Sequence, residues 1–104
     1  VLASHHQIAQ KLHGSSENGS ARAHDLIDLQ LIVSNEKIDF KKTKDTCVRL
    51  FAYRKLQAWP PAIEGNQNWV EIYDAQKAGL HVLDSVDDAV AWANDLIRKI
   101  DASR

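Results

Sequence analysis

The residues with the clearest capacity for chemistry are Lys11, Arg22 and Asp25. Arg22 and Asp25 are three residues apart in a segment with a helical pattern, so their side chains should be neighbours on one face. That face also carries Leu29 and Ile32, which predicts that both charges point toward the core. A buried carboxylate must be compensated by a cation, hydrogen bonds or a metal. The sequence therefore predicts a cluster in which Asp25 pairs with Arg22 and Lys11.

Such a cluster has two interpretations, and the spacing leaves both open. It could be a structural ion-pair network that ties two helices together, because networks of this kind also concentrate charge. It could instead bind phosphate, since the first turn of a helix offers N–H groups and the positive end of the helix dipole.

The first two helices must position this cluster. Residues 4–13 read as a helix with Gly14 as its natural stop, and residues 14–20 read as a polar loop. Ser20 is a candidate N-cap for a second helix over residues 21–34, which is apolar on both sides and therefore expected to be central. Because the loop is short, the two helices should pack antiparallel, with the lysine of the first facing the aspartate of the second.

The middle of the chain predicts two more helices. Asp39 is a candidate N-cap for a third helix over residues 40–58, which the Trp59-Pro60-Pro61 sequence should end. A fourth helix is expected over residues 68–78, with Gly79 at its C-terminal end.

The last helix has the clearest start, because Ser85 is a natural N-cap and Asp87 and Asp88 follow in the first turn. Its apolar stripe consists of Val86, Val90, Ala93, Ile97 and Ile100. No useful β-alternation is present. We therefore predict one all-α, helical-bundle domain of about five helices spanning residues 1–104.

Composition narrows the class of protein. Hydrophobic residues make up 44% and charged residues 26%, which excludes a wholly disordered chain. The net charge of −1 gives no strong overall attraction to nucleic acid or membrane. A single cysteine, Cys47, and short apolar runs favour a cytoplasmic protein with no membrane span. Since the chain begins at Val1 and holds no methionine, we expect it to be a piece of a larger bacterial protein.

The sequence also resembles a known family. Residues 7–13 (QIAQKLH), a glycine-containing loop and residues 22–29 (RAHDLIDL) are similar to the C-terminal half of AbiEii/AbiGii-type nucleotidyltransferase toxins of type IV toxin–antitoxin systems. Those proteins carry Lys-Leu-x-Ala and then Arg-x-Lys-Asp-x-x-Asp-Leu. Residues 51–54 (FAYR), the prolines, Trp69 and Tyr73 extend the likeness over most of the chain.

The resemblance implies roles for five residues. Lys11 and Asp25 would be catalytic, the lysine touching the triphosphate of a nucleotide and the aspartate orienting it or supporting the metal site. Arg22 would hold Asp25 or touch phosphate. His24 and Asp28 would not touch the nucleotide but would position the residues that do. The implied reaction is nucleotidyl transfer to an acceptor such as tRNA, with Mg²⁺ bridging the phosphates.

The resemblance also implies partners. The family's Gly-Ser motif and metal-binding carboxylates belong to an N-terminal domain, so we expect this chain alone to hold no metal and to catalyse no transfer. An antitoxin is a further expected partner. Two positions depart from the family pattern: Gly14 stands where alanine is common, and His24 stands where lysine precedes the aspartate.

Two other functions remain open. His24-Asp25 together with His5 or His6 is similar to HD-type metal phosphohydrolases, although Arg22 on the same face disfavours a cation site. A helical interaction module without chemistry would instead expose an apolar patch, for which the final helix is the expected place.

Several other conspicuous residues have ordinary interpretations. The three histidines of the first helix, including His13, should be exposed, and the lysines of the third helix should form a solvated face. The three tryptophans should pack in the core or at its rim, and Cys47 should be an inert core thiol.

Overall fold

The computed structural model describes residues 4–17, 22–55 and 58–103, and within these ranges the protein is all-α, without a β-strand. The described residues form the five helices of a single domain, which confirms the predicted fold class. The helices are α1 (Ser4–Ser16), α2 (His24–Asn35), α3 (Phe40–Arg54), α4 (Gln67–Lys77) and α5 (Val86–Ala102).

Helix α2 is central, as its apolar character on both sides predicts. It contacts α1, α4 and α5, while α3 covers α1 on the other side. Leu26, Ile27 and Leu29 are buried, although they point in different directions around the helix. The later residues Leu31, Ile32 and Val33 are only partly buried at the edge of the core.

Two helix starts follow from the predicted caps. The carboxylate of Asp39 accepts a hydrogen bond of 3.0 Å from the backbone N–H of Lys42, and the hydroxyl of Ser85 accepts one of 3.1 Å from the N–H of Asp88. Each bond satisfies an N–H group that has no partner within its helix.

Helix α1 does not stop at Gly14, so that prediction is wrong. The helix continues to Ser16, and Gly14 lies buried within it. The hydroxyls of Ser15 and Ser16 donate hydrogen bonds of 2.7 and 2.6 Å to the carbonyls of Lys11 and Leu12. These bonds connect the residues before Gly14 to those after it. The helix therefore continues through the glycine, and its last turn packs against Arg22 and Asp25.

The predicted start of α2 is also wrong, because the helix begins at His24 and not at residue 21. Its N-cap position, Ala23, makes no side-chain capping bond. The proposed cap, Ser20, lies outside the described residues. Arg22 therefore precedes the helix instead of lying in its first turn.

Helix α3 ends at Arg54, four residues before the predicted end. Lys55 adopts the left-handed conformation, with φ of 58°, and its N–H donates to the carbonyl of Phe51 at 3.0 Å. A left-handed residue at this position closes a helix without help from proline. The Trp59-Pro60 pair lies beyond this stop.

The last two helices agree closely with expectation. Trp69 and Tyr73 of α4 are buried, and Gly79, with φ of 77°, follows directly after the helix. The apolar stripe of α5 is buried apart from Val90, which is partly buried. The stripe of the final helix is therefore not the exposed apolar patch expected of an interaction module.

A polar network fixes α2 against α4 and the loop after it. The side-chain amide of Gln30 donates to the hydroxyl of Tyr73 at 3.1 Å, and that hydroxyl donates to the carbonyl of Leu83 at 2.6 Å. The N–H of Leu83 returns a bond of 2.8 Å to the amide oxygen of Gln30. This closed set holds the helix that carries Asp25.

Within the described part of the chain, every helix is too short or too polar to cross a membrane.

Candidate functional site

The centre of the candidate site is the carboxylate of Asp25, which has no exposed surface. Its Oδ2 accepts a hydrogen bond of 2.6 Å from Nε of Arg22, and its Oδ1 accepts a longer one of 3.3 Å from the same guanidinium. Nζ of Lys11 lies 3.4 Å from Oδ1. The structure thus brings together the three residues that the sequence analysis grouped, with one arginine held by two parallel bonds.

Lys11 joins two carboxylates of α2. Its Nζ lies 2.9 Å from Oδ2 of Asp28, in addition to its contact with Asp25. Partial burial opposes the charged amine, but the hydrogen bond to Asp28 and the charge of Asp25 outweigh it and raise the pKa of Lys11. Since 28% of the side chain remains exposed, Lys11 is a fixed cation that solvent can still reach.

Arg22 occupies a different position from the one expected. It lies before α2, where its carbonyl accepts the backbone N–H of Asp25 at 3.0 Å in a turn. The hydrogen bond and charge of Asp25 raise the pKa of Arg22. About half of its side chain is exposed (49%), so the prediction of two inward-pointing charges is right for Asp25 and wrong for Arg22.

Gly14 borders the candidate site, and sequence reasoning missed this position. A Cβ atom placed there would lie 2.7 Å from Nε of Arg22 and 2.8 Å from Oδ2 of Asp25, closer than such atoms approach. The absent side chain lets the arginine–aspartate pair lie directly against α1. The available signal was a glycine inside a helical pattern, which often marks close approach of a neighbouring group.

His24 and Asp28 border the same carboxylate. Nε2 of His24 lies 3.4 Å from Oδ1 of Asp25, and nearly half of the imidazole is exposed. His24, Asp25 and Asp28 each offer one ligand atom, and these atoms lie within 4.8 Å of one another. Among the described residues this is the set with the spacing of a metal site.

The donor chemistry does not fit Mg²⁺. Both oxygens of Asp25 already accept from the guanidinium of Arg22, and Asp28 pairs with Lys11. A divalent ion would lie beside two fixed cations, and magnesium prefers an octahedron of oxygen ligands free to approach it. Neither His5 nor His6, the histidines expected of an HD-type hydrolase, belongs to this set, and His5 hydrogen-bonds Thr46 of α3 at 2.9 Å.

His13 corrects the prediction that the histidines of α1 are exposed. Its imidazole is buried and packs edge-to-face on Phe51, with 5.0 Å between ring centroids. Loss of solvation on burial lowers the pKa of His13, and the charge of Arg54 adds to this, although Glu17 opposes it. His6 is exposed as expected, while His5 is partly buried.

The other conspicuous residues are structural, as predicted. Trp69 is buried, and Trp59 and Trp92 pack at the edge of the core. Cys47 has no exposed surface, and burial raises the pKa of its thiol to about 12. A thiol held protonated is a poor nucleophile, so Cys47 is not part of a reactive centre. The lysines of α3 are exposed apart from Lys44, which donates to the carbonyl of Asp101 at 2.8 Å.

The sequence matches no protein-family model, and no curated protein matches it. The likeness to the AbiEii type therefore depends on the two short runs around Lys11 and Asp25, and it stays a prediction.

Proposed function

We propose that this chain is the C-terminal helical part of an AbiEii-like nucleotidyltransferase and supplies Lys11 to the triphosphate of a bound nucleotide. The observation that carries the proposal is the full burial of Asp25 between Lys11 and Arg22, with N···O distances of 3.4 and 2.6 Å. This arrangement fixes an accessible ammonium group in one place before a ligand arrives. Fixing the group beforehand lowers the entropic cost of binding a flexible anion.

Each residue of the cluster has a part in this proposal. Lys11 is the group that touches phosphate, and Asp25 is its positioning residue. Arg22 donates to the second oxygen of Asp25. Because its side chain is half exposed, it can also reach phosphate. Asp28 holds Lys11 in place through the 2.9 Å contact between its Oδ2 and Nζ of the lysine. His24 lies beside Asp25, at the exposed edge of the cluster.

The rest of the chemistry belongs to the whole protein. The resemblance implies that an N-terminal domain brings the metal-binding carboxylates and Mg²⁺, which supplies charge neutralisation of the phosphates when bound. The acceptor, such as tRNA, and an antitoxin are likewise partners of the whole protein. The alternative for this cluster is a purely structural ion-pair network between α1 and α2.

Substitution of Lys11 by methionine separates the two functions. Lys11→Met keeps the apolar stem and removes the ammonium, and Lys99→Met makes the same change at an exposed lysine of α5 that pairs with Asp95 at 3.3 Å. Nucleoside triphosphates are titrated into both variants and the parent chain while amide resonances are followed by NMR. We expect shifts around residues 11 and 22–25, with affinity at least about tenfold weaker in Lys11→Met, the effect of losing a charge-assisted hydrogen bond.

The control should differ from the parent chain by less than about twofold, because an exposed ion pair contributes little. If Lys11→Met lowers the melting temperature while triphosphates produce no shifts in the parent chain, the structural network is the correct interpretation and the proposal fails.

A transfer assay tests whether the reaction requires the N-terminal domain. The chain alone should transfer no labelled nucleotide to RNA, because Asp25 and Asp28 already pair with cations. Transfer by these 104 residues alone would show that the chemistry does not reside in another domain.

A further inference from the structure

We propose that the groove between α1 and α3 binds a single-stranded nucleic acid and leads it to Arg22, at the edge of the candidate site. The groove consists of two adjoining cavities of about 250 Å³ each, which share Gln10 of α1 and Leu50 of α3. We call this surface the α1–α3 groove. The lining residues run along α1 from residue 6 and along α3 from residue 46, so the groove follows both helices.

The charge of the α1–α3 groove suits a phosphate backbone. Arg22, Arg49 and Arg54 line it, and Glu17 is the carboxylate found among its lining residues. The net charge of the whole chain is −1, whereas the groove carries three arginines and one glutamate. Positive charge is therefore concentrated in the groove. Arginines that line a groove bind successive phosphates and release the counterions condensed on them.

An exposed aromatic ring distinguishes this groove from a general anion site. Tyr53 lines it and is 83% exposed, although the other large hydrophobic residues at the described surface reach at most 49%. Arg49 lies one helical turn before Tyr53 and therefore on the same face. A ring with its face in water beside a guanidinium is the arrangement on which unpaired bases stack, and it has no use in packing the core.

The groove reaches the candidate site at Gly14 and Arg22. Arg22 lines its end and also donates the 2.6 Å bond to Asp25, whose other oxygen faces Lys11. A strand in the groove would thus have one end beside Arg22, and we assign it as the acceptor strand of the proposed transfer. This assignment as acceptor rests on the proposed function, whereas strand binding does not.

The experiment measures binding of a fluorescein-labelled single-stranded RNA of about eight nucleotides, within the site sizes of such grooves, by fluorescence anisotropy at low salt. Arg49→Glu should weaken binding at least about tenfold. Arg98→Glu makes the same charge change at an exposed position of α5 and should weaken it less than about twofold.

The ring of Tyr53 is tested by a second pair of variants. Tyr53→Ala should weaken binding about fivefold or more, the effect of losing one stacked base, and Tyr53→Phe should retain binding within about twofold. All four variants change an exposed residue, at three positions, and circular dichroism checks the fold of each variant.

Three results would overturn the proposal: no binding of the parent chain at about 100 µM, equal losses for Arg49→Glu and Arg98→Glu, or equal affinity for a duplex of the same length. The assay contains no nucleoside triphosphate, so strand binding and the proposed contact of Lys11 succeed or fail independently.

Discussion

Nε of Arg22 lies 2.6 Å from Oδ2 of Asp25, although Arg22 precedes α2 and Asp25 lies in its first turn. The pair therefore closes the entry of the chain into the helix, in the place where a side-chain cap would otherwise stand. The same carboxylate reaches Lys11 on α1, so one buried group joins the helix start to its neighbour. The fold and the proposed site depend on this contact together.

Asp25→Asn should lower the free energy of unfolding by about 3 kcal/mol, because it removes the charge that compensates two cations at a buried position. Asn is nearly the same size, so the loss is one of charge and not of packing. Urea denaturation followed by circular dichroism measures it. Asp28→Asn is the matched control, and it should cost less than about 1 kcal/mol because Asp28 is 41% exposed. Equal costs for the two variants would contradict a central role of Asp25.

Gly14→Ala should destabilise the protein by about 1–3 kcal/mol, even though alanine is the better helix former by about 1 kcal/mol. The added methyl group would lie within 2.8 Å of both Arg22 and Asp25, and the buried Asp25 has little room to move. Thermal unfolding measures the change. At Gly65 a Cβ would meet its nearest neighbour at an ordinary 3.5 Å, so Gly65→Ala should be nearly neutral. A stabilised Gly14→Ala variant would show that the close approach to α1 is not required.

The stability of the protein should fall as the pH drops below about 6.5, in part because of His13. Burial lowers the pKa of His13 in the folded state below its ordinary value of 6.5, so the unfolded chain binds the proton more readily. Above that value both states are neutral and the group contributes no pH dependence. Melting temperatures at about pH 7.5 and pH 5.5 should therefore differ less in His13→Asn than in the parent chain.

The exposed His81 provides the control for this pH dependence. His81→Asn should keep the difference found in the parent chain. An unchanged pH dependence in His13→Asn would mean that His13 is protonated equally in the folded and unfolded states.

Cys47 should react with a thiol reagent only through unfolding. It has no exposed surface, and its pKa of about 12 leaves almost no thiolate near neutral pH. The labelling rate at mild pH should therefore follow the stability of each variant, being faster in Asp25→Asn and unchanged in Asp28→Asn. Rapid labelling of the native parent chain would indicate local opening of α3 instead.

The regular parts of the fold could be predicted because their causes are local. Asp39 and Ser85 each bond an N–H three residues later, so a window of four residues contains the whole interaction. The burial of Trp69 and Tyr73 follows likewise from their spacing of four on one helix. The association of Lys11 with Asp25 could also be predicted, since two helices close together in the sequence are expected to pack antiparallel.

The misplaced end of α1 and the unexpected burial of His13 have non-local causes. Gly14 read as a stop because glycine favours helix ends, but Arg22 and Asp25 pack against it and hold the last turn in place. His13 read as exposed because imidazole is polar, whereas Phe51 of α3 covers it. In both cases the deciding atoms lie on another element.

By itself, the sequence determined the all-α class, the order of the five helices and the pairing of Asp25 with its two cations, because periodicity, capping and the cost of an isolated buried charge act at short range. Only the tertiary structure decided how much of Lys11 and of Arg22 is exposed to solvent, and where the α1–α3 groove forms. These features depend on how two distant surfaces fit together. No window of sequence contains that fit, since packing is settled by all neighbouring side chains at once.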